Sequence, residues 1–361
     1  MLNPVKKIKM TAQEYKTLDK RDKKRFWTDA ILNNALYILM LGFIIYTACV
    51  NDKFIKIGSI ANIIQLSAAS LPFALGVGGC IVLTGTDLSG GRVLGLTAAL
   101  SAALLQSSDY ANRIFSFLPN LPVWVYIIIA ILVSMLVGAI IGGVNGFFVA
   151  KFKLHPFIVT LATQLITYGI ILVLFMVNGN NGQPLSHLDP AYTNFVTSPM
   201  FKIGGASIPW YVLYAVIFVI IIWFLWNKTT FGKNMFAVGS NAEAANVSGV
   251  NVFKTTVLVH TLAGIMYGLS GFIEGARISS IQPSTGANGE CDAIAACVIG
   301  GVSFVGGTGK VSGIVMGVLI LRIIFVALNM LSIDPNLQYI IKGLIILLAC
   351  ALDMRKYLVK K

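Results

Sequence analysis

A short polar stretch interrupts this apolar chain: Gly239-Ser240-Asn241-Ala242-Glu243-Ala244-Ala245-Asn246-Val247-Ser248-Gly249. Apolar runs that approach the length of a membrane span lie on both sides of it, at 211–226 and at 255–273. A polar stretch between two such runs is typical of a loop at the surface of a polytopic membrane protein. We call Gly239–Gly249 the polar island.

The polar island carries signals for a short helix of its own. Ser240, followed three residues later by Glu243, predicts a capping box at a helix start, and Gly249 suits the left-handed residue that follows a helix. The pattern therefore predicts a helix over residues 241–248, whose small residues Ala242, Ala244 and Ala245 would let it lie in a groove of another protein. If the helix docks on a partner in this way, we expect Ala245 to face that partner. Two interpretations remain open at this point: a lever that passes motion into the membrane, and a solvated loop that is merely helical.

The composition excludes a soluble globular domain. Of 361 residues, 57% are hydrophobic and only 11% are charged, whereas soluble domains carry about 25% charged residues. The mean hydropathy is +0.82. The five cysteines and three histidines lack the spacings of metal sites or of disulfide frameworks, so we expect no metal site and expect the cysteines to act as small packing residues.

Ten apolar runs predict an all-α integral membrane protein with about ten spans. With the N-terminus in the cytoplasm, twenty basic residues fall inside and five outside, so the positive-inside rule predicts that both termini and the polar island are cytoplasmic. The run at 291–306 is short and glycine-rich. The ten runs are 31–50, 61–84, 91–107, 123–149, 156–177, 209–227, 255–273, 291–306, 311–331 and 337–353.

The predicted domain organisation is simple. A basic cytoplasmic segment at 1–30 precedes a single transmembrane domain at 31–354, which contains a cytoplasmic loop at 228–254, and a basic tail follows at 355–361. The nine basic residues of the first segment could bind nucleic acid, but anchoring at the anionic cytoplasmic face of a lipid bilayer explains them more simply. We therefore expect no nucleic-acid partner.

Glycines give two further signals. Small residues repeat every four positions at Gly138, Gly142 and Gly146 and at Gly264 and Gly268, which predicts close helix packing in lipid. Other glycine-rich stretches interrupt helices at the expected cytoplasmic ends of the second and eighth spans. The residues in them that could serve in packing or line a path are Asp87, Ser89, Gly90, Gly91, Gly300 and Gly301. A structural role is favoured for Asp87.

No enzyme active site is evident in the sequence. Gly309-Lys310 invites a phosphate-loop interpretation, but Phe304 stands where that motif needs glycine and Val311 where it needs Ser or Thr. Ionisable residues within the spans are few. Arg322 lies mid-span, and Lys342 lies in the outer half of its span and is expected to snorkel. The acidic residues Glu274, Glu290 and Asp292 are expected at the outer ends of the seventh and eighth spans. The scarcity of mid-membrane carboxylates favours a passive pathway over the alternative, an ion-coupled secondary carrier for a small polar solute.

Several motifs together resemble one family of bacterial permeases. The chain is similar to the permease subunits of ATP-binding-cassette (ABC) sugar importers of the ribose/galactose/autoinducer class, and its C-terminal motifs are most similar to members that import galactose or methyl-galactosides. The motifs are Thr84-Gly-Thr-Asp-Leu-Ser-Gly-Gly91, His155-Pro-Phe-Ile-Val-Thr-Leu-Ala-Thr163, Phe231-Gly-Lys, 237–250, Asp292-Ala-Ile-Ala-Ala-Cys-Val-Ile-Gly-Gly-Val-Ser-Phe304, Gln338-Tyr-Ile-Ile-Lys-Gly343 and Ala351-Leu-Asp-Met-Arg-Lys-Tyr357.

The resemblance implies a non-catalytic subunit in a multi-pass arrangement in the bacterial inner membrane. It implies a second copy of this chain, a separate ATPase subunit that carries ATP and Mg, a periplasmic sugar-binding protein, and a monosaccharide substrate. This chain itself would hold no cofactor. The resemblance also implies that Ser240–Gly249 is the coupling helix that docks on the ATPase subunit: Ser240, Asn241, Ala242, Glu243, Ala244, Ala245, Asn246, Val247, Ser248 and Gly249.

Overall fold

The computed structural model describes Asp19, Arg21, Lys23 and residues 35–110, 112–117, 119 and 121–358. The segment at 1–30 and the tail at 355–361 lie outside these residues, apart from the three isolated positions and the backbone as far as Leu358. The elements in chain order are α1 Ala35–Val50, α2 Ile57–Val82, α3 Gly90–Leu104, α4 Val123–Phe152, α5 Pro156–Leu174, α6 Pro190–Thr197, β1 Pro199–Ile203, β2 Ala206–Pro209, α7 Trp210–Lys228, α8 Thr230–Ser240, α9 Ala242–Val247, α10 Val252–Ile278, α11 Gly289–Ile299, α12 Val311–Met330 and α13 Pro335–Leu358, with a 3-10 turn at Val177–Gly179.

The helical prediction is confirmed in outline. Within the described residues each apolar run overlaps one helix, although the run at 291–306 continues past the end of its helix at Ile299. The strands β1 and β2 form only a small antiparallel hairpin. Within the described part of the chain, six helices are long and apolar enough to cross a membrane, namely α2, α4, α5, α7, α10 and α12. The others are shorter in their apolar part, because α3 has 15 residues and α11 only 11.

The chain runs between two ends of a helical bundle. At one end, which we call the island end, the Gly307 N–H donates to the Val82 carbonyl over 2.8 Å, beside Gly239. At the other, the loop end, residues Leu185 and Ile281 form a β-bridge between two connecting segments. The long helices α2, α4, α5, α7, α10 and α12 extend between these two ends.

Helices α3 and α11 cover only half of this height. Gly90, at the start of α3, lies against Phe73 and Tyr267, which are central residues of α2 and α10. Gly289, at the start of α11, lies against the same Phe73. From there α3 runs to the loop end and α11 to the island end, so the two half-helices meet N-terminus to N-terminus near mid-height.

This arrangement corrects the expected depth of one glycine-rich stretch. The sequence placed Ser89, Gly90 and Gly91 at the cytoplasmic end, but the non-helical segment after Val82 returns into the bundle and brings them to mid-height. Arg92, counted among the cytoplasmic charges, lies there too, stacked on the Tyr168 ring with its guanidinium carbon 4.1 Å from the ring centroid. Hydropathy reports apolar length and contains no information on depth.

The closest helix packing is between α4 and α10, as the glycine spacing predicted. A Cβ atom at Gly138 would overlap the carbonyl of Gly264, and one at Gly146 would lie 2.7 Å from the Val257 Cα atom. Side chains larger than hydrogen therefore cannot fit without backbone movement. These two helices form a tight central pair on which the other helices pack.

The long connection at 178–209 is folded rather than extended. It contains α6 and the β1–β2 hairpin, and it is fixed to the bundle by Tyr192, whose hydroxyl donates to the Phe272 carbonyl over 2.6 Å. Burial raises the pKa of this Tyr192 phenol, so that it stays protonated and able to donate. The connection therefore forms a fixed cover over the loop end.

Candidate functional site

The polar island folds as two helices joined at one extended residue. Helix α8 continues through Ser240, and Asn241 then leaves the helical region with φ −162° and ψ 107°. The Asn241 carboxamide oxygen accepts from the Ala244 N–H over 2.9 Å and so caps α9. The predicted capping box is therefore wrong: Ser240 ends the preceding helix, and Glu243 lies one position too early to close the box.

The end of the short helix agrees with the sequence. Gly249 has φ +84°, its N–H donates to the Asn246 carbonyl over 3.0 Å, and the Val250 N–H donates to the Ala245 carbonyl over 3.0 Å. These two bonds are the pair that defines a Schellman motif, which satisfies carbonyls at a helix end. A short helix of six residues is thereby fixed at both ends.

The two faces of α9 differ from the expectation. Ala245 is only 4% exposed and packs into the core of the chain itself, so the prediction that it faces a partner is wrong. Val247 is 89% exposed, the highest fraction among the exposed large hydrophobic residues of the described chain. The other members of the helix, including Glu243 and Ala244, are also exposed. The island thus presents a small polar surface around one apolar side chain.

A backbone clasp joins the island to the bundle. Gly239 lies so close to the Val82 carbonyl that a Cβ atom there would overlap it, and a Cβ atom at Gly307 would lie 2.7 Å from the Ser240 Cα atom. The Gly307 N–H donates to the same Val82 carbonyl. We call Val82, Gly239 and Gly307 the three-way clasp. It connects α8 to the segments that lead to α3 and from α11.

Gly300 and Gly301 remain near the island end, as the sequence predicted. Gly300 contacts Gly313 backbone to backbone, and Gly301 has φ +83°, a conformation that suits glycine. Both line a shallow cavity of about 670 Å³ between the end of α11 and the start of α12, together with Lys310 and Phe236. The pair therefore combines close packing with a position on a cavity wall.

Asp87 is completely buried within a hydrogen-bonded chain. Its Oδ1 accepts from the Ser89 N–H at 2.9 Å and from the Ser89 hydroxyl at 2.6 Å, and its Oδ2 accepts from the Tyr267 hydroxyl at 3.2 Å. The chain continues through the Asn145 amide, which donates to the Ser89 hydroxyl, to Thr163. These bonds satisfy the carboxylate and connect four segments, as the favoured structural role requires.

Glu290 is a second buried carboxylate at mid-height, and its position corrects the sequence analysis. It is 4% exposed, lies against Gly91, and receives one long bond of 3.4 Å from the Gln164 amide. Its Oε2 has no hydrogen-bond partner among the described residues. It belongs to the first turn of α11, where the positive end of the helix dipole favours a negative charge. The supposed scarcity of mid-height carboxylates therefore does not hold.

Lys342 and Asp292, two further charged residues of the bundle, form an ion pair. The Lys342 ammonium lies 2.7 Å from the Asp292 carboxylate and over the rings of Phe325 and Tyr339, so it points inward and does not snorkel. The sequence missed this because it shows which residues are charged but not which helices are neighbours. The acidic first turn of α11 was a readable signal for a helix start.

Comparison with known proteins identifies the family. Residues 59–350 match the family described as branched-chain amino acid transport system / permease component. The galactose/methyl galactoside import permease protein MglC of Escherichia coli is 41% identical over 340 residues, which cover 94% of this chain and 99% of that protein.

The chain belongs to this permease family. The MglC protein of Haemophilus influenzae is 40% identical over 333 residues, covering 92% of this chain and 97% of that protein. The ribose import permease protein RbsC of Bacillus subtilis is 34% identical over 340 residues, covering 93% and 97%. No solved structure matches the chain significantly.

Family membership settles the class of this protein. It is a non-catalytic permease component of a transport system and a multi-pass protein of the inner membrane, in agreement with the six long apolar helices.

Proposed function

We propose that this chain is the membrane subunit of an ABC importer that carries a monosaccharide, galactose or a methyl-galactoside, into the cytoplasm. The observation that carries the proposal is the 40–41% identity to galactose/methyl galactoside permeases over more than nine-tenths of the chain. The identity to ribose permeases is lower, at 32–34%. This difference favours a hexose over ribose.

The proposed topology has ten crossings with both termini in the cytoplasm. The chain alternates between the island end and the loop end, and α3 and α11 each complete a crossing together with a non-helical segment that enters the bundle. Non-helical backbone at membrane depth is tolerated where protein buries it, as it is here. The basic residues Lys228, Lys233 and Lys254 flank the polar island, which supports a cytoplasmic island end.

We further propose that α9 is the coupling helix that docks on an ATPase subunit. The helix is fixed by its cap, its Schellman motif and the buried Ala245, so it can transmit force as a rigid body. Its exposed Val247 is an apolar side chain surrounded by polar residues, an arrangement that matches the apolar core and polar rim of protein interfaces. ATP and Mg would reside on that partner.

The remaining proposed partners follow from the same assignment. A second copy of this chain would complete the membrane pathway. A periplasmic sugar-binding protein would dock at the loop end, where the connection at 178–209 forms a folded cover. In this arrangement the chain alone hydrolyses no ATP and accumulates no sugar.

One experiment tests the coupling surface directly. Val247→Asp should abolish capture of the ATPase subunit and sugar-stimulated ATP hydrolysis, because it puts a charge at the centre of the interface, whereas Val247→Thr keeps the shape and should retain most of both. Ala245→Trp is unsuitable, since it would disrupt the core of the chain itself. Normal capture and uptake with Val247→Asp would show that α9 is not the coupling element.

A second experiment tests the substrate. The complete complex, reconstituted in liposomes with its ATPase and binding protein, should take up labelled galactose, with methyl-galactoside as an effective competitor and ribose as a poor one. A complex that prefers ribose would refute the assignment.

A further inference from the structure

Four exposed phenylalanine rings form a connected cluster where α4 ends beside the start of α10. The Phe147 ring meets the Phe253 ring edge-on, with the ring centroids 6.1 Å apart, and so joins the two helices at the surface. The rings of Phe148 and Phe152 stack with their centroids 5.5 Å apart. Each of the four side chains is between 42% and 57% exposed. A contiguous exposed apolar surface of this kind marks a site of interaction.

Three lysines surround these rings. Lys151 follows Phe147 by four residues, so the two side chains lie on the same face of α4, and Lys254 follows Phe253 directly in α10. Lys153 is the first residue after α4. All three are exposed, and none forms an ion pair with a carboxylate of the described residues. We call the four rings and the three lysines the basic–aromatic patch.

Helix energetics accounts for only one of the three lysines. Lys151 lies in the last turn of α4, where the negative end of the helix dipole favours a cation. Lys254 lies in the first turn of α10, its N–H bonded to the capping Asn251, and there the positive end of the dipole disfavours a cation. Lys153 has φ +52° and ψ 33°, a left-handed conformation that glycine usually occupies after a helix. Local structure therefore gives no reason for two of these charges, and their partner is to be sought outside the chain.

The length of α4 sets the depth of the patch in the membrane. Its 30 residues extend about 45 Å, whereas the hydrocarbon core is about 30 Å thick. With α4 centred in the bilayer, about five residues extend beyond the hydrocarbon at each end, and Trp124 at the far end is typical of the opposite interface. Phe148 therefore lies at the edge of the hydrocarbon, and Lys151 lies at the level of the lipid phosphates.

An apolar stripe leads from the interior of the membrane to the patch. Large exposed apolar side chains recur at every fourth residue of α4, and the last two of them are rings of the patch. The members of the stripe are Leu132, Leu136, Ile140, Val144, Phe148 and Phe152. A continuous apolar stripe that ends among lysines matches the shape of a phospholipid, with acyl chains on one side and a phosphate on the other.

We propose that the basic–aromatic patch is a binding site for an anionic phospholipid. Lys151 and Lys254 hold the phosphate from two helices, Lys153 adds a third positive charge, and the rings pack against the upper part of the acyl chains. Charge complementarity selects this occupant, since basic clusters between helices at the membrane surface recognise anionic headgroups. The site is independent of the imported sugar. Its assignment to the cytoplasmic leaflet rests on the proposed topology.

Native mass spectrometry of the full-length chain tests this site. Phosphatidylglycerol is titrated into the protein in detergent, with the zwitterionic phosphatidylcholine as the comparison lipid. The wild type should bind one phosphatidylglycerol per chain with saturation, and phosphatidylcholine far more weakly. Each lysine near an anionic headgroup contributes about fivefold in affinity. Lys151→Gln combined with Lys254→Gln should therefore weaken phosphatidylglycerol binding about 25-fold.

Two control variants separate a site from general surface charge. Lys233→Gln combined with Lys310→Gln removes the same charge from two exposed lysines of the island end outside the patch, and it should leave the affinity unchanged. Lys151→Arg combined with Lys254→Arg keeps both charges and should retain binding. Because the substituted lysines are all exposed, the variants should share the wild-type unfolding midpoint, which is measured for each.

Three results would overturn the proposal. Equal weakening by the patch variant and by the Lys233/Lys310 variant would mean that overall charge alone attracts the lipid. Unchanged affinity in the patch variant, or equal binding of both lipids by the wild type, would mean that the patch is no lipid site. Loss of a dimer mass in the patch variant would mean that a second copy of the chain covers this surface. None of these results bears on the proposed sugar import.

Discussion

The central pair α4–α10 yields a quantitative prediction at Gly146. A Cβ atom at Gly146 would lie 2.7 Å from the Val257 Cα atom, whereas ordinary contact begins at 3.4 Å, so the two backbones must separate by about 0.7 Å in Gly146→Ala. Gly143 lies three residues earlier on the same helix, and a Cβ atom there would meet only the Thr261 Oγ1 atom, at 3.3 Å. Gly143→Ala is therefore the matched control.

The expected magnitude follows from this difference. Both substitutions gain about 0.5–1 kcal/mol because alanine favours the helix over glycine. Only Gly146→Ala forces a shift of packed backbone, which costs about 1–3 kcal/mol. The helix term cancels between the two variants, so Gly146→Ala should be less stable than Gly143→Ala by about 1–3 kcal/mol.

Thermal unfolding in detergent measures this difference. The thiols of Cys80 and Cys297 are fully buried, so a thiol-reactive dye reports their exposure as the bundle opens. Gly146→Ala should unfold about 2–6 °C below Gly143→Ala. Equal midpoints for the two variants would refute the argument that close backbone contact at Gly146 stabilises the pair.

Three further outcomes are expected. Asn241→Ala should remove the cap of α9, at a cost of about 1 kcal/mol, and should speed up hydrogen exchange of the α9 amides about fivefold. Ser240→Ala should change this exchange little. The reverse ranking would mean that Ser240, and not Asn241, caps the helix. Lys342→Met should leave the partly buried Asp292 unpaired and destabilise the protein by up to about 3 kcal/mol. The double variant with Asp292→Asn should recover most of this lost stability. No recovery would mean that the ion pair contributes little. Tyr192→Phe should lose the hydrogen bond to the Phe272 carbonyl, at about 1 kcal/mol, and should speed protease cleavage of the connection at 178–209. An unchanged cleavage rate would contradict the role of Tyr192 as an anchor.

Much of the fold is readable from the sequence because lipid imposes strong rules. The apolar runs coincide with the helices, since every backbone polar group in a membrane must be satisfied within the protein. The four-residue glycine spacing located the α4–α10 crossing, because only small residues permit such contact. Gly249 was recognisable because a left-handed backbone favours glycine.

The depth of segments within the bundle and the direction of the Ala245 side chain could not be predicted from the sequence. In the sequence, the segment before Gly90 and the run around Glu290 resemble ordinary ends of spans. Hydropathy does not distinguish such an end from a chain that turns back into the bundle. The direction of Ala245 was also hidden. A six-residue helix has too few positions to define a buried face, and the packing of α9 on the bundle decides it.

At the cap of α9, the spacing of Ser240 and Glu243 led to the wrong residue. Asn241, which was not considered as a cap, is as good a capping residue as Ser240. The structure selects Asn241 because α8 extends without interruption to Ser240. Which residue caps a helix depends on where the preceding helix stops, and this is a property of the two elements together.

The three-way clasp has a consequence for how the segments that it joins move together. Val82 is the last residue of α2 and leads to α3, and Gly307 lies on the segment that follows α11. Gly239 belongs to α8 and is the first residue of the polar island. A displacement of the polar island would therefore be transmitted to the segments that connect to both half-helices at one point. The contacts there are between backbone atoms and not between flexible side chains. The segment that enters α3 and the segment that leaves α11 are therefore held to one another, and to the polar island, at the same point.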